Sequence, residues 1–247
     1  MQEEIIYGIN PVTEALRSSR RAFELFVSGE GRKIDQLVQA AQERKVPVRR
    51  RDRRDLARLA GTEHHQGVAL RLEAFPYAEV EDVIDRALEK GGSGFILVLD
   101  GIQDPHNLGA LIRSAACAGA DGVVIPRDRA ASVTAVAEKS SAGAASMIPV
   151  ARVPNVAQAV DALKEKGFWI YGAAGEATAT IYTADFTGNV VLVIGNEGEG
   201  IRPLIKKKCD VLLSIPMAGG PGSLNASVAG GIMMFEIMKS RLFTGKA

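Results

Sequence analysis

Three stretches of the chain set amides, carboxylates, a guanidinium and a hydroxyl among glycines. The first is DGIQDPHNLGALIRSA (100–115), where Leu108, Leu111, Ile112 and Ala115 recur at helical spacing. Asp104 or Asn107 can cap that helix, and Pro105 suits its first turn. Gly109 is out of place there, because glycine inside a helix costs about 1 kcal/mol relative to alanine. It lies four residues before Arg113 on the same face, and helical side chains lean toward the N-terminus. Gly109 therefore opens a lane along which the Arg113 guanidinium reaches the helix mouth beside Asn107. A donor fork at a positive helix end can seat a phosphate. The plain alternative is a surface arginine paired with an acid.

The second stretch, VIGNEGEGI (193–201), has Gly195, Gly198 and Gly200 directly after an apolar run. Such a turn lets backbone approach a ligand or take positive φ. Glu197 and Glu199 at its tip either carry chemistry or simply solvate the turn. The third, IPMAGGPGSLNASVAGGI (215–232), runs from strand through glycine-rich loop to helix. Ser223 or Asn225 can cap the helix. The small residues Ala226, Ser227, Ala229, Gly230 and Gly231 weaken it, so a ligand or a partner helix is expected to pack close.

Positioning these loops requires alternating strands and helices. Up to residue 73 the pattern gives helices over 11–18, 34–44 and 52–60, the last opened by Asp52, and strands over 22–28, 46–51 and 67–73. Residues 74–93 read as a linker holding one amphipathic helix, 79–90, and a GGSG break. Strands then follow at 95–100, 122–126, 147–153, 168–174, 190–195 and 211–216, with helices near 107–118, 132–142, 156–167 and 224–242. VVLVIG (190–195) and VLLSIP (211–216) lack alternation, which marks central strands of a mostly parallel sheet covered on both faces. In such sheets ligands sit beyond the carboxyl ends of strands, where all three loops fall. Leu224, Val228, Ile232 and Phe235 form one stripe of the last helix.

Composition excludes several classes. No apolar run approaches the ~20 residues of a membrane span, and the N-terminus lacks the basic stretch and apolar core of a secretion signal. Cys117 and Cys209 form no CxxC pair, so a reduced, cytosolic, metal-free protein is expected. Neither GxxxxGK[ST] nor GxGxxG occurs, which argues against a P-loop or a nicotinamide dehydrogenase. The net charge of +1 hides an asymmetry: residues 1–73 carry 14 Lys/Arg against 11 Asp/Glu, and 44–58 hold eight basic and two acidic side chains. That points to a polyanion, or else to a solvated arginine-rich face. Arg49, Arg50, Arg51, Arg53 and Arg54 are the candidate contacts to the phosphates of such a polyanion; on a strand, Arg49 and Arg51 would share a face opposite Arg50. His64, His65 and His106 are read as solvated loop histidines.

Together NLGALIR (107–113), IGNEGEGI (194–201) and IPMAGGPGSLNASVA (215–229) resemble the motifs of the SPOUT superfamily, in its TrmH-like (SpoU) branch of RNA ribose 2′-O-methyltransferases. YGINPVTEALRS (7–18) and HHQGVALRL (64–72) resemble the small substrate-binding domain of that branch, most closely in enzymes that methylate a guanosine of 23S rRNA. The resemblance implies an α/β chain: an RNA substrate-binding domain over 1–73, the linker over 74–93, and a methyltransferase domain with a C-terminal trefoil knot over 94–247. It implies S-adenosyl-L-methionine as cofactor, RNA as partner, rRNA before tRNA, and a homodimer with the active site at its interface. Asn107, Arg113, Glu197, Ser223 and Asn225 match the catalytic positions; Gly195, Ile215, Met217 and Leu224 match those whose backbone holds the cofactor. A non-catalytic RNA-binding protein of ribosome assembly is the rival, and the intact Asn107, Arg113, Glu197 and Ser223 weigh against it.

Overall fold

Strands buried on both faces are what a run such as FILVLD or VVLVIG predicts, and three of them form the centre of a sheet. In the computed structural model, which describes residues 3–18, 20–219 and 222–243, β5 (Phe95–Asp100), β6 (Gly122–Pro126) and β9 (Val190–Gly195) are buried at every residue. They belong to a six-stranded, wholly parallel sheet of order β10-β8-β9-β5-β6-β7, completed by β7 (Val150–Val153), β8 (Trp169–Ala173) and β10 (Val211–Leu213). The expected central strand at 211–216 is instead a three-residue edge strand paired only with β8. Its apolar run reflects another demand, since Leu213 and Ile215 line the cavity described below.

The chain divides into two compact units, Met1–Pro76 with Thr134–Lys139, and Tyr77–Val133 with Ser140–Ala247. In the first, β1 (Glu3–Tyr7), β2 (Ala22–Val27), β3 (Val48–Arg50) and β4 (Val68–Glu73) form a sheet of order β1-β4-β2-β3. Helices α1 (Ile9–Arg17) and α2 (Arg32–Glu43) supply Val12, Leu16 and Leu37 to one core with Leu25, Leu70 and Leu72. Helix α3 (Arg53–Ala60), capped by the Asp52 carboxylate accepting from the Asp55 amide at 2.8 Å, packs Leu56 against Phe26 and Ala69. Strand β1 escapes a periodicity reading because EEIIY is too short to show alternation.

In the second unit, α4 (Val80–Leu88) and α7 (Val156–Glu165) bury Val83, Ile84, Val160 and Leu163 with Val98, Val124 and Val193. Helix α4, inside the stretch read as a linker, approaches β6 so closely that a Cβ on Gly122 would strike Val83 Cγ1 at 2.6 Å. Helices α5 (Pro105–Cys117) and α9 (Ala226–Phe243) pack against each other. The short helix α8 (Pro203–Lys206) also belongs to this unit, whereas α6 (Ala135–Ser140) lies almost wholly in the first, where Ala135 joins the core.

The small residues of α9 have a partner within the chain: a Cβ on Gly230 would fall on Leu111 Cδ2 of α5. The buried face of α9 is Ala226, Gly230, Met233, Met234 and Ile237, whereas Val228, Ile232 and Phe235 are exposed. At its far end Arg241 donates to the carbonyls of Ser93 (2.6 Å), Gly94 (3.0 Å) and Gly188 (3.0 Å), tying the helix to the starts of β5 and β9. Burial pulls its pKa below the usual arginine value.

Substituting Gly230→Val should destabilise the chain by about 1–3 kcal/mol, the usual cost of overpacking. Urea unfolding monitored by circular dichroism checks this; an unchanged midpoint would show that α5 and α9 do not touch as described.

Candidate active site

The carboxyl ends of β8, β9 and β10 surround a cavity of about 300 Å3. Its walls come from three loops far apart in sequence, 173–176, 194–200 and 213–224, and from Ala226, Ala229 and Met233 of α9. Gly195, Ile215, Met217 and Leu224, the four expected cofactor contacts, all line it, as do Glu197 and Ser223. Gly220 and Pro221 of the third glycine-rich stretch lie outside the described residues.

The glycine loop after β9 has a defined build. Asn196 and Gly200 exchange backbone hydrogen bonds at 3.1 and 3.2 Å, and the Asn196 Oδ1 accepts from the Gly198 and Glu199 amides at 2.9 and 2.7 Å. A Cβ on Gly195 would fall on the Gly200 carbonyl carbon and the Ile201 nitrogen, so only glycine fits where the loop folds back. Gly200 has φ +70, which glycine also favours. The far end is held by Asp100, the last residue of β5 and fully buried. Its Oδ2 accepts the Arg202 amide at 2.8 Å, and its Oδ1 accepts Arg202 Nε at 2.7 Å and Nη2 at 2.5 Å. Neither Asp100, Asn196 nor Arg202 was singled out by sequence. The signal was there: a carboxylate ending an otherwise apolar strand needs a partner.

The expected catalytic residues fall into two groups. Asn107, buried in the first turn of α5, donates from Nδ2 to Glu197 Oε1 at 2.6 Å and accepts at Oδ1 from Asn225 Nδ2 at 3.1 Å. Asn225 also caps α9, its Oδ1 accepting from the Ser227 amide (2.9 Å) and hydroxyl (2.6 Å). One residue from each stretch thus joins a single hydrogen-bonded row ending on the cavity wall. Asp104 takes the capping role on α5, accepting the His106 amide at 2.9 Å. Ser223 is exposed at the cavity and Arg113 is exposed on α5; among the described residues neither makes a side-chain hydrogen bond or ion pair. No hydrogen bond joins Arg113 to Asn107, whose amide instead donates to Glu197 and accepts from Asn225.

Other titratable groups have structural roles. His65 is fully buried, contrary to its reading as a solvated residue, because its Nδ1 accepts the Gly67 amide at 3.0 Å and fixes the turn into β4. His106 and His64 are exposed, with His106 Nδ1 3.1 Å from Ser140 Oγ. Burial pushes the Cys209 thiol up to about 11, so it is no nucleophile at neutral pH.

In the first unit Arg49 pairs with Glu24 at 2.7 Å and Arg50 donates to the Gly29 carbonyl at 3.3 Å. Arg51, Arg53 and Arg54 are exposed without side-chain partners among the described residues. Arg44, at the edge of the basic cluster, is structural, donating to the carbonyls of Leu16, Ser18 and Arg20.

Comparison with known proteins matches residues 94–235 to the SpoU rRNA Methylase family and residues 5–78 to the RNA 2′-O ribose methyltransferase substrate binding family. The chain is 41% identical over 247 residues, 98% of each chain, to the 23S rRNA (guanosine-2′-O-)-methyltransferase RlmB of Xanthomonas campestris pv. campestris. It is 42% identical over 246 residues to RlmB of Vibrio vulnificus, covering 98% of this chain and 99% of that one. Among solved structures it is similar to the SpoU methyltransferase AviRb from Streptomyces viridochromogenes in complex with AdoMet, with a TM-score of 0.62 and 26% identity over 97% of this chain and 91% of that chain.

Replacing Arg202 by alanine leaves Asp100 buried with one backbone partner. The expected loss is roughly 2–3 kcal/mol, at the lower end for a broken buried pair because Arg202 is itself partly exposed. Urea denaturation reads this, and a loss below about 0.5 kcal/mol, the scale of an exposed pair, would show that the contact does not hold the loop.

Proposed function

We propose a residue-level mechanism from one premise: the chain belongs to the SpoU rRNA methylase family. It is an S-adenosylmethionine-dependent RNA methyltransferase that modifies a ribose 2′-hydroxyl, and its target is a guanosine of 23S rRNA. The single observation carrying the site assignment is the row Asn225–Asn107–Glu197, which ties one residue from each of three strand-end loops into a hydrogen-bonded chain that ends on the cavity wall at Glu197. A transfer-RNA ribose is the alternative target. The full-length match to RlmB, including the substrate-binding segment, favours rRNA.

The cavity fits the cofactor. Its volume is at the lower end of the range for small-molecule sites, about 300–1,000 Å3. Leu213, Ile215, Met217 and Leu224 offer apolar surface for a base, while the turn at 195–200 exposes backbone for polar groups. Glu176, Glu197 and Glu199 line it and no basic side chain among the described residues does, which complements a cationic sulfonium. When bound, the cofactor supplies an electrophilic methyl carbon on that sulfonium.

The protein's part is alignment and proton removal. Asn107 holds one oxygen of Glu197, leaving the other free to accept the 2′-hydroxyl proton. Asn225 fixes the Asn107 amide so that its NH2 faces the carboxylate. Ser223 is placed to hold or relay the proton at the cavity mouth. Arg113 grips a target phosphate with its guanidinium fork and stabilises the developing alkoxide; exposed and without a side-chain partner among the described residues, it is available to RNA. Arg49, Arg50, Arg51, Arg53 and Arg54 of the substrate-binding domain (1–73, joined through 74–93 to the catalytic domain) hold flanking RNA, with Arg51, Arg53 and Arg54 the freest to do so.

Two further features belong to this reading. A trefoil knot near the C-terminus rests on membership of the SpoU family; in that region Ser214 donates to Ala179 O and accepts from the Ile181 amide, joining the segment after β10 to an earlier loop. A homodimer is supported by the exposed apolar stripe Val228, Ile232 and Phe235 on α9, the helix whose other face packs on α5. No helix among the described residues is long and apolar enough to cross a membrane, and we place the enzyme in the cytoplasm with its rRNA substrate.

Mapping 2′-O-methylation in total RNA from cells with and without the gene tests the function: one guanosine of 23S rRNA should lose its methyl, and an unchanged map would refute the assignment. Glu197→Gln should lower kcat about 100-fold or more, the range of a lost general base, with a much smaller loss of cofactor affinity by calorimetry because Glu176 and Glu199 still line the cavity. Arg113→Ala should likewise bind cofactor but lose most turnover; near-normal methylation of RNA would remove it from the mechanism. V228D/F235D should sediment as a monomer if the stripe is the interface, and a dimer that persists would place the contact elsewhere.

A further inference from the structure

The carboxyl edge of the second sheet has two halves. Over β8, β9 and β10 lies the cavity with Glu197. Over β6 and β7 lie three exposed arginines that the mechanism above leaves unused: Arg127, Arg129 and Arg152. Arg152 donates from Nη2 to the Arg127 carbonyl at 3.0 Å, and its guanidinium lies 5.3 Å from the centroid of the Tyr77 ring. Arg127 has only a 3.6 Å contact with Asp128, both side chains well exposed, so solvent screens the pair. Arg129 makes no side-chain hydrogen bond or ion pair among the described residues.

Arg129 also has φ 55, the left-handed region where glycine is at home and an arginine is strained. Two bonds hold the loop there. Gln103 donates from Nε2 to the Arg129 carbonyl at 2.8 Å, and the Ala131 amide donates to Ile102 O at 2.7 Å. They pin the arginine loop to the segment that leads directly into α5 and Asn107. Glycine would make the same turn with less strain, so what the chain gains from an arginine at this position is the guanidinium itself. Among the described residues that guanidinium has no partner.

We infer that Arg127, Arg129 and Arg152 form a seat for the backbone phosphates of the RNA strand that flanks the methylated nucleotide. The inference deepens, and rests on, the RNA methyltransferase reading. A ribose brought to Glu197 carries its neighbouring phosphodiesters along the same sheet edge. Guanidinium forks suit phosphate oxygens, and a loop already pinned loses little freedom on binding. Of the acids on this half of the edge, Asp104 is engaged in capping α5 and Asp128 is solvent-exposed. The seat lies in the same compact unit as the cavity, so it acts on strand placement whatever the first unit holds.

The strain at residue 129 allows a test in which folding and binding move apart. Binding of full-length protein to a fluorescent oligouridylate of about 15 nucleotides is measured against salt, since each lost phosphate contact flattens the log–log slope by about 0.7 on single strands. R129G should flatten the slope by about 0.7 and R127Q/R129G by about 1.4. The Tm of R129G should be unchanged or higher, and the Kd for S-adenosylmethionine by calorimetry within about twofold of wild type. Methylation of protein-free 23S rRNA by the double variant should lose about tenfold in kcat/KM at 0.15 M salt, as expected for two released contacts. A salt slope equal to wild type, or a fall in Tm and cofactor affinity alongside RNA affinity, would overturn the seat and make the loop structural. Wild-type protein that binds no S-adenosylmethionine would instead sink the methyltransferase reading on which it rests.

Discussion

A carboxylate with no access to water holds the site together. Asp100 ends the central strand β5, opposite Gly195 in register, and takes both the amide and the guanidinium of Arg202. The loop 196–201 is thereby fixed at both ends: by β9 at its start and by Asp100 at its exit. Only then does Glu197 stand where Asn107 can reach it, and only then does Asn107 have an amide oxygen for Asn225. Removing the clasp would leave each residue present but its partners displaced. Because Asp100 lies in the sheet core, the precision of the loop is inherited from the most rigid part of the fold.

Helix α9 shows how one element serves two surfaces. Its inner face is made thin by Gly230, so that Leu111 of α5 can press against the backbone, and this brings Asn225 at one helix cap to Asn107 near the other. Its outer face carries Val228, Ile232 and Phe235 in the open. A helix with apolar residues on both sides has low amphipathic contrast, which is why its sequence gives a stripe without saying which side is buried. At the far end Arg241 spends its donors on three carbonyls at the mouths of β5 and β9, so the helix is anchored at both ends.

Much of this was legible in the residues. The buried runs at 95–100, 122–126 and 190–195 became strands within their expected bounds, and the glycine turns all fell at strand ends. Asp52 caps α3 as its position suggested. What failed did so for identifiable reasons. VLLSIP reads like a central strand because lining a ligand cavity and sitting mid-sheet both demand apolar side chains. His65 reads like a loop residue because nothing in HHQG reveals that one imidazole turns inward to take a backbone amide. Tertiary partners such as Arg202 for Asp100, 102 residues later, leave no periodic trace. Site assignment depended on recognising three motifs together, since each loop alone admits capping or turn solvation as its explanation.

The strand order has a consequence for how the polypeptide is made. Strand β5 pairs along its whole length with β9, Phe95 opposite Val190, while β6 and β7 are synthesised in between. At about 5–20 residues per second, roughly 5–20 seconds pass on the ribosome before β5 meets its neighbour. Through that interval the nascent chain carries an open strand edge, apolar but for Asp100 at its end, and non-local parallel pairing of this kind closes slowly. Early maturation is therefore the period of greatest aggregation risk for this protein, and slowing translation between residues 126 and 190 should lower its soluble yield more than slowing it anywhere after 195.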